Sequence, residues 1–303
     1  MKPFKRLVAI EDTLISEEAR NKLSQYAEKV ELFDTLSEND EEVIRRIGDA
    51  DAVLVSFKTH ITKAILEKCP NIRYIGMCCT LYEASSCNVD LAEARRRGIT
   101  VTGVKDYGDE GVVEYAISEL VRFMHGFGDR QWRTDKQELT RQKVGIIGLG
   151  KTGGMLADAF RFFGSEVYYY SRSRKPEAED KGFRYLDLDE LLRTCDIVLT
   201  CLPRNTYLLG EKEFRIFGNG KILMNTSIGT TFDVGALKKW LAANPDSYYF
   251  CDGTGMGTLA NELAGLPNVF HTPIVAGKSI QSTGRLSAKA LANIEAFLNG
   301  NKT

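Results

Sequence analysis

The sequence lacks the features that mark membrane-bound and nucleic-acid-binding proteins. Its 40 Lys and Arg are balanced by 41 Asp and Glu, so the net charge is −1 and no basic surface for nucleic acid or anionic lipid is expected. No apolar run approaches the roughly 18 residues of a membrane span. The N-terminus leads into a strand without an apolar signal region. We therefore expect a cytoplasmic protein with neither a nucleic-acid nor a membrane partner.

Cysteine and histidine are also sparse. The seven cysteines are odd in number and contain no C-x-x-C pair, a pattern that fits reduced thiols better than a disulfide framework. No Cys/His spacing typical of a metal site occurs, so no metal ion is expected. The chain has only three histidines, which leaves few positions for a histidine proton donor.

At 303 residues, with 43% hydrophobic side chains, the chain is long enough for two domains with separate cores. The first part alternates short apolar strands with helices. Strands are predicted at 7–10, 30–33, 52–55, 72–76 and 99–102, and helices at 16–26, 39–47, 62–67 and 89–97. This alternation favours a mostly parallel sheet, so the first hundred residues are predicted to form one α/β domain.

The second part of the chain repeats this alternation. A long apolar helix over 112–124 is expected to lead into a second domain, and a final helix over 280–298 is expected to cross back to the first. Strands of the second domain are predicted at 144–147, 166–170, 196–202, 221–225 and 248–251.

An apolar strand runs directly into a G-x-G-x-x-G motif at residues 144–153. Gly148 permits a tight turn, Gly150 lets the backbone approach a pyrophosphate, and Gly153 lets the following helix lie close to the strand. The unpaired N–H groups and the positive dipole end of that helix suit phosphate groups. Because a second strand follows at the expected distance, the motif favours a dinucleotide site over a plain structural turn.

The residues after that second strand distinguish between two cofactors. NAD enzymes usually place Asp or Glu there, to bind the 2′-hydroxyl of the adenosine ribose. This chain has Ser171, Arg172, Ser173, Arg174 and Lys175 instead, and arginine is suited to binding a phosphate. NADP(H) is therefore predicted in preference to NAD(H). The alternative is that this run is a solvated basic loop.

Motifs along nearly the whole chain resemble those of the D-isomer-specific 2-hydroxyacid dehydrogenases, the family of the phosphoglycerate, glycerate, glyoxylate and formate enzymes. They are N-V-D-L-A at 88–92, R-G-I-T-V-T at 97–102, V-V-E-Y-A at 112–116, the glycine turn, C-L-P with N-T at 201–206, N-T-S at 225–227, L-P-N-V at 266–269 and T-P at 272–273. The resemblance implies two Rossmann-like or flavodoxin-like α/β domains with mostly parallel sheets. The dinucleotide-binding domain, 104–277, would be inserted in a substrate domain made of 1–103 and 278–303.

Together with the glycine turn and the basic loop, the resemblance implies a set of cofactor-binding residues. They are Gly148, Leu149, Gly150, Lys151, Thr152, Gly153, Ser171, Arg172, Ser173, Arg174, Leu202, Pro203, Thr206, Thr226, Ser227, Ile228 and Asp252. Family members usually form dimers through the dinucleotide domain. We therefore expect a homodimer, although the segment 126–142, which corresponds to the family's dimerisation arm, is short.

Three positions that carry catalysis in this family are replaced. The family's Arg after N-T-S, which holds the substrate carboxylate and carbonyl, is Ile228 here. The His after T-P, which acts as acid and base, is Ile274, and the Glu that assists it is Gly257. An aliphatic side chain can neither pair with a carboxylate nor transfer a proton. The family's mechanism therefore cannot operate with these residues.

Other side chains are candidates for the missing roles. Histidine titrates near neutral pH in general, which makes His271 a candidate proton donor, although a histidine in an apolar strand is more often a core residue. Tyr107 is a second candidate donor. Lys58 could bind an anion, although a loop lysine is more often solvated. Lys58, Tyr107 and His271 are therefore predicted as catalytic residues, whereas Asp106 and Asp109 are expected to cap loops.

The segment 76–87 corresponds to the loop through which the family binds the substrate carboxylate by backbone N–H groups. It is longer than usual and contains the vicinal Cys78 and Cys79, which are more often buried thiols than redox groups. A longer loop and a missing Arg predict a bulkier or less anionic substrate than a small 2-hydroxy acid.

The predicted function is an NADP(H)-dependent oxidoreductase that transfers hydride to or from a carbonyl-type small molecule at a non-standard active site. The alternative is a catalytically inactive NAD(P)-binding sensor or scaffold. A dehydrogenase of the usual 2-hydroxy acids would require a different alignment at three positions. The retained glycines with Arg172 and Arg174 favour the first function, because a scaffold has no need of them.

Overall fold

The computed structural model of the protein describes residues 3–81, 87–204, 206–256, 260–263 and 265–300. The chain folds into two compact units. The first unit comprises Met1–Tyr107 and Ser279–Thr303, and the second unit, Gly108–Lys278, is inserted between these two segments. The prediction of two α/β domains with mostly parallel sheets is confirmed.

The first unit is built on a sheet of five parallel strands in the order β2-β1-β3-β4-β5, the flavodoxin-like order. The strands are β1 (Phe4–Ala9), β2 (Ala27–Leu32), β3 (Ala52–Val55), β4 (Tyr74–Thr80) and β5 (Thr100–Val104). The helices are α1 (Glu17–Lys22), α2 (Asp40–Ile47), α3 (Lys63–Lys68), α4 (Leu91–Arg96) and α13 (Ile280–Leu298), and a 3₁₀ turn covers Leu23–Gln25.

Polar residues define where the helices of the first unit begin. The side chains of Ser16, Asn39, Thr62 and Asp90 each accept a hydrogen bond from a backbone N–H in the first turn of α1, α2, α3 and α4. Such caps satisfy N–H groups that have no intrahelical acceptor. The helix predicted over 16–26 is divided, because α1 ends at Lys22 and the 3₁₀ turn follows.

The last helix, α13, packs on the first unit, as the sequence predicts. Its buried residues Leu286, Ile294 and Phe297 join the core of one sheet face. The Phe297 ring stacks on Phe4 with centroids 5.7 Å apart and lies 4.9 Å from Tyr74. These aromatic contacts link the last helix to β1 and β4, and so tie the two ends of the chain together.

Strand β4 is longer than predicted. The sequence places its end at 76 and a loop at 76–87, but the strand continues to Thr80 and is buried between β3 and β5. Cys78 and Cys79 are therefore strand residues, and burial raises the pKa of the Cys78 thiol to about 12. A thiol that ionises so poorly does not support a redox role. The rest of the predicted loop lies largely outside the described residues.

The second unit is built on a sheet of seven parallel strands in the order β12-β11-β10-β9-β6-β7-β8. The strands are β6 (Lys143–Ile147), β7 (Glu166–Tyr170), β8 (Arg184–Tyr185), β9 (Ile197–Thr200), β10 (Ile222–Asn225), β11 (Tyr248–Asp252) and β12 (Val269–Thr272). The helices are α5 (Asp109–His125), α6 (Lys151–Phe162), α7 (Pro176–Glu179), α8 (Leu188–Thr194), α9 (Glu211–Phe217), α10 (Val234–Ala243), α11 (Gly253–Met256) and α12 (Ala260–Leu263).

This strand order is that of the Rossmann fold, with one further strand at the β12 edge. The chain reverses its direction across the sheet between β6 and β9, and ligands of open α/β sheets bind at the carboxyl ends of the strands beside such a switch point. One face of the sheet packs against α5 and α6, and the other packs against α8, α9 and α10. Among the described residues no helix is both long and apolar enough to cross a membrane.

Helix α6 lies very close to β6. A Cβ atom at Gly153 would be 2.1 Å from the carbonyl oxygen of Gly148 and 3.2 Å from the Ile146 side chain. At the adjacent Gly154 a Cβ would meet no atom within 4 Å. The role predicted for Gly153, close packing of the helix on the strand, is therefore confirmed.

Gly153→Ala is expected to destabilise the protein by about 2–3 kcal/mol, because the new methyl group overlaps a backbone oxygen that cannot move without shifting β6. Gly154→Ala should instead stabilise it by about 0.5–1 kcal/mol, since alanine is the better helix former and has room. Chemical denaturation of both variants measures the difference. Equal effects of the two substitutions would contradict the close packing.

Candidate functional site

The turn after β6 requires glycine at its first position. Gly148 has φ of 97°, and its N–H donates to the Tyr170 carbonyl at 2.8 Å. A Cβ there would lie 2.4 Å from the Cys201 carbonyl oxygen. The left-handed backbone disfavours any residue other than glycine at this position, and the nearby Cys201 carbonyl leaves no room for a Cβ atom. The predicted role of Gly148 in a tight turn is confirmed.

Gly150 caps the N-terminus of α6 and faces open space, since a Cβ there would meet no atom within 4 Å. The first N–H groups of α6 have no intrahelical acceptor, and the positive end of the helix dipole adds to their attraction for an anion. Lys151 is exposed and Leu149 is buried. The turn is therefore a cradle that fits a pyrophosphate group.

The side chain of Thr152, a predicted cofactor residue, is engaged within the protein. Its hydroxyl donates to the Asp109 carboxylate, which is buried at the first turn of α5. The expectation that Asp109 caps a loop is wrong, because it begins α5, where an acidic side chain is favoured by the helix dipole. The pair fixes the start of α5 against the start of α6.

The basic loop after β7 is only partly available to a ligand. Arg174 forms a bidentate ion pair with Glu179 of α7, with Nε–Oε1 and Nη2–Oε2 distances of 3.0 and 2.5 Å. The Arg174 guanidinium lowers the pKa of that carboxyl. The loop itself contains no carboxylate, but Glu179 of α7 lies beside it. Arg174 is therefore engaged within the protein.

Arg172 differs from Arg174. It is exposed and makes no ion pair or hydrogen bond with any residue that the structure describes. The neighbouring Ser171 hydroxyl donates to the Ser173 carbonyl at 2.6 Å, which closes the turn that presents Arg172. The predicted phosphate-binding pair is thus reduced to one available guanidinium.

The loops after β9 and β10 are joined by hydrogen bonds. The Leu202 N–H donates to the Ser227 hydroxyl at 2.8 Å, and the Thr226 hydroxyl donates to the Thr200 carbonyl at 2.9 Å. Thr206 turns back on the exposed Pro203, to whose carbonyl its N–H donates at 3.3 Å. These contacts hold the predicted cofactor residues of both loops together at the carboxyl edge of the sheet.

Asn225, at the end of β10, makes hydrogen bonds to three different segments at the edge of the sheet. It is fully buried; its Oδ1 accepts from the Thr200 hydroxyl at 2.9 Å and from the Ser227 N–H at 3.0 Å. Its Nδ2 donates to the carbonyls of Gly229 and Gly255, at 2.8 and 3.3 Å. A single amide therefore satisfies a hydroxyl at the end of β9 and backbone groups that follow β10 and β11. The sequence motif N-T-S gives no hint of these partners.

Asp252, predicted to bind the cofactor, has a structural role. Its Oδ1 accepts from the N–H groups of Thr254 and Gly255, both at 2.9 Å, and its Oδ2 accepts from the Ala276 N–H at 2.9 Å. The carboxylate thus fixes α11 and the segment after β12. Both of its oxygens are already used by the protein.

Ile228 and Ile274 lie at the ends of this framework, after β10 and β12. Their exposed fractions are 46% and 57%, and Val275 beside Ile274 is also exposed. The N–H of Gly229 donates to the Thr254 carbonyl, and the N–H of Gly253 donates to the Ile274 carbonyl. The segments after β10 and β12 therefore both contact α11. The carboxyl edge here is apolar. Gly257 lies outside the described residues.

A pocket of about 740 Å³ lies at the segment that directly follows Ile228. It begins at Gly229 and is bordered by Tyr207, Phe232 and Met256. The charged residue in its lining is Asp233, whose carboxylate accepts from the Ala236 N–H at 2.7 Å and caps α10. The pocket therefore offers apolar and aromatic surface to a ligand.

His271 lies inside the second unit on β12, paired in register with Cys251. It lines a pocket of about 350 Å³ together with Glu119 and Arg122 of α5 and with Arg130. Its Nε2 is buried and has no hydrogen-bond partner among the described residues. The pocket is lined by the later part of α5, by residues 128–130 and by β11 and β12. Ile228 and Ile274 are not among its lining residues. Catalysis by His271 stays a prediction.

Lys58 and Tyr107 belong to the first unit. Lys58 is exposed after β3, and Tyr107 is half-buried with its carbonyl accepting from Arg285 at 2.8 Å. The preceding carbonyls of Lys105 and Asp106 accept from Lys289 at 2.7 and 3.1 Å. The segment 105–107 is therefore held by α13.

Two residues of the first unit were not predicted as site residues, although Asn88 belongs to the N-V-D-L-A motif. Glu11 and Asn88 are buried and bind the loop 56–59 that contains Lys58. The one local signal is that Glu11 closely follows a strand. Their partners are 45 and 32 residues away, a distance at which sequence patterns carry no information on pairing. Among the described residues no cluster of His, Cys, Asp and Glu could hold a metal ion.

The described geometry agrees with comparisons to known proteins. The family "D-isomer specific 2-hydroxyacid dehydrogenase, NAD binding domain" matches residues 116–276. A hydroxypyruvate reductase of Blautia hydrogenotrophica is 30% identical over 291 residues, covering 89% of both chains. A glyoxylate reductase of Thermococcus litoralis is 27% identical over 285 residues, covering 85% of this chain and 83% of the relative.

A solved structure shares the fold. The acyclic imino acid reductase Bsp5, in complex with NADPH and D-Arg, superposes with a TM-score of 0.82 and 24% identity, covering 98% of both chains. The family match spans more than half of the chain, and the curated relatives cover most of the remainder. The chain therefore belongs to the D-isomer specific 2-hydroxyacid dehydrogenase family of NAD(P)-dependent oxidoreductases.

Proposed function

We propose that the protein is an NADP(H)-dependent oxidoreductase that reduces or forms a carbonyl-type group with a proton-transfer apparatus different from that of its family. The observation that carries this proposal is the contrast within the second unit. The glycine turn is open at Gly150, whereas exposed aliphatic side chains, Ile228 and Ile274, stand where the resemblance expects an Arg and a His.

The second unit would hold the dinucleotide. The backbone at Gly150 and Lys151 fits the pyrophosphate, Arg172 would pair with the 2′-phosphate, and the joined loops at Leu202 and Thr226 would border the nicotinamide half. The bound nicotinamide supplies the hydride, and the protein supplies orientation and a proton source. The Bsp5 structure, which has the same fold and contains NADPH, supports the proposal that this fold can hold the cofactor. A homodimer formed through this unit is part of the proposal.

Each unit offers side chains for the missing roles. In the first unit, Lys58 would bind an anionic group and Tyr107 would donate a proton. In the second unit, His271 is the proposed proton donor. The aliphatic edge at Ile228, Ile274 and Val275 can exclude water and contact apolar atoms but can bind no carboxylate. The adjoining pocket of about 740 Å³ supports a substrate with a bulky apolar arm. The relatives named for hydroxypyruvate and glyoxylate suggest 2-keto acids as reference substrates.

A panel of 2-keto acids including glyoxylate and hydroxypyruvate, aldehydes and imines is expected to contain at least one compound that oxidises NADPH. Loss of NADPH absorbance with purified protein measures this. The matched control is Gly150→Val, whose side chain fills the cradle without touching protein atoms at its Cβ. NADPH binding without turnover of any compound would contradict an oxidoreductase and favour the sensor or scaffold function.

Arg172→Ala is expected to lower kcat/KM for NADPH about 10–100-fold while leaving kcat/KM for NADH almost unchanged, because the 2′-phosphate loses a charged partner. Arg174→Ala is the matched control. Since Arg174 is paired with Glu179, its loss should change the NADPH-to-NADH preference less than about fivefold. An unchanged preference in Arg172→Ala would contradict the assignment of the basic loop.

A further inference from the structure

We propose that Glu11 and Asn88 are positioning residues that hold the loop 56–59 so that Lys58 binds a carboxylate of the substrate. This inference rests on the proposed function. It adds the buried groups that hold the loop of Lys58, the lysine that binds the substrate. It depends on the place of the loop in the sheet, on its hydrogen bonds and on the exposed side chain of Lys58.

The loop lies at the switch point of the first unit. In the order β2-β1-β3-β4-β5 the chain changes direction across the sheet between β1 and β3. Glu11 comes two residues after the end of β1, and Ser56 directly follows β3. Ligands of flavodoxin-like sheets bind at the carboxyl ends of the strands beside this point. The loop therefore occupies the position at which this fold most commonly binds ligands.

Glu11 binds the loop through both of its oxygens. Its side chain is fully buried; Oε1 accepts from the N–H and the hydroxyl of Ser56, at 2.8 and 2.6 Å, and Oε2 accepts from the Thr59 hydroxyl at 2.5 Å. No ion pair to Glu11 occurs among the residues that the structure describes. A buried carboxylate is costly unless it is hydrogen-bonded, so the loop and Glu11 depend on each other.

Asn88 binds the same loop by donating hydrogen bonds to two of its carbonyl groups. It is buried, and its Nδ2 donates to the carbonyls of Ser56 and Thr59, at 2.7 and 2.5 Å. Glu11 therefore satisfies donors, and Asn88 satisfies acceptors, at the first and last residues of the loop. The Lys58 N–H donates to the Ser56 hydroxyl at 3.4 Å, which closes the turn. Both ends of a four-residue loop are thus fixed by buried groups.

The middle of the loop faces outward. Phe57 and Lys58 are exposed, and the Lys58 amine makes no ion pair or hydrogen bond within the described part of the chain. A fixed backbone removes part of the ordering cost of binding, so a preorganised lysine binds an anion more tightly than one on a mobile loop. A lysine is a point charge and needs no bidentate geometry. The expected ligand is therefore a single carboxylate of the carbonyl substrate.

The test uses oxamate, whose carboxylate and carbonyl copy those of a 2-keto acid. Its binding is measured by titration calorimetry, with and without NADPH, for the wild type, Lys58→Met, Thr59→Val, Thr59→Ser and the double variant of Lys58→Met with Thr59→Val. Thr59→Val removes one hydrogen bond to Glu11 with little change of shape, and Thr59→Ser restores it. Hydrogen exchange of the amides in 56–59 reports the order of the loop independently of any ligand or activity.

Lys58→Met is expected to weaken oxamate binding about 10–100-fold, and Thr59→Val to weaken it about 3–10-fold with faster exchange of the loop amides. Thr59→Ser should resemble the wild type. In the Lys58→Met background Thr59→Val should have no further effect, because it acts through Lys58.

Absence of oxamate binding to the wild type, or independent effects of the two substitutions, would overturn the inference. An unchanged affinity in Thr59→Val despite faster loop exchange would also overturn it, because the loop would then be only structural. These readouts use binding and exchange, so they remain interpretable if the panel shows no turnover. Failure of the proposed function is therefore distinguishable from failure of this inference.

Discussion

The contact between α6 and β6 is the constraint on which the second unit depends. The left-handed turn at Gly148 and the absence of a side chain at Gly153 let the helix lie against the strand. That packing brings the N-terminus of α6 to the carboxyl edge of the sheet, beside the switch point, and leaves Gly150 facing open space. One steric condition therefore produces both a stable helix–strand pair and a site for phosphate groups.

The rest of the carboxyl edge is held by buried polar groups that do not involve the side chains of Ile228 and Ile274. Asn225 joins the end of β9 to the loop after β10 and to α11, and Asp252 joins α11 to the segment after β12. Neither residue requires a particular side chain at 228 or 274. This separation explains how a chain can keep the cofactor framework of its family while the exposed positions carry Ile228 and Ile274. It also explains why fold and cofactor class follow from the family, whereas the reaction must be established at the site.

The sequence predicted what local patterns determine and missed what distant contacts determine. The glycine turn, β7 at 166–170 and α13 at 280–298 were predicted correctly, because each has a complete apolar or glycine pattern of its own. The extension of β4 to Thr80 was missed, since Met77, Cys78 and Cys79 look like a loop until their neighbours β3 and β5 are known. The pairing of Arg174 with Glu179 depended on a short helix, α7, that has no strong signal. The Glu11 and Asn88 contacts join segments that are far apart in the chain.

We propose that this chain binds NADP(H) in the cofactor framework of its family, with Ile228 and Ile274 where the resemblance expects catalytic residues. Fluorescence titration of the purified protein with NADPH and NADH tests it most directly, with Gly150→Val as the matched variant. We expect saturable binding of NADPH, weaker binding of NADH, and loss of both in Gly150→Val while its unfolding midpoint stays close to that of the wild type. If the wild type bound neither cofactor, the assignment of the glycine turn and its neighbouring loops as a dinucleotide site would be contradicted.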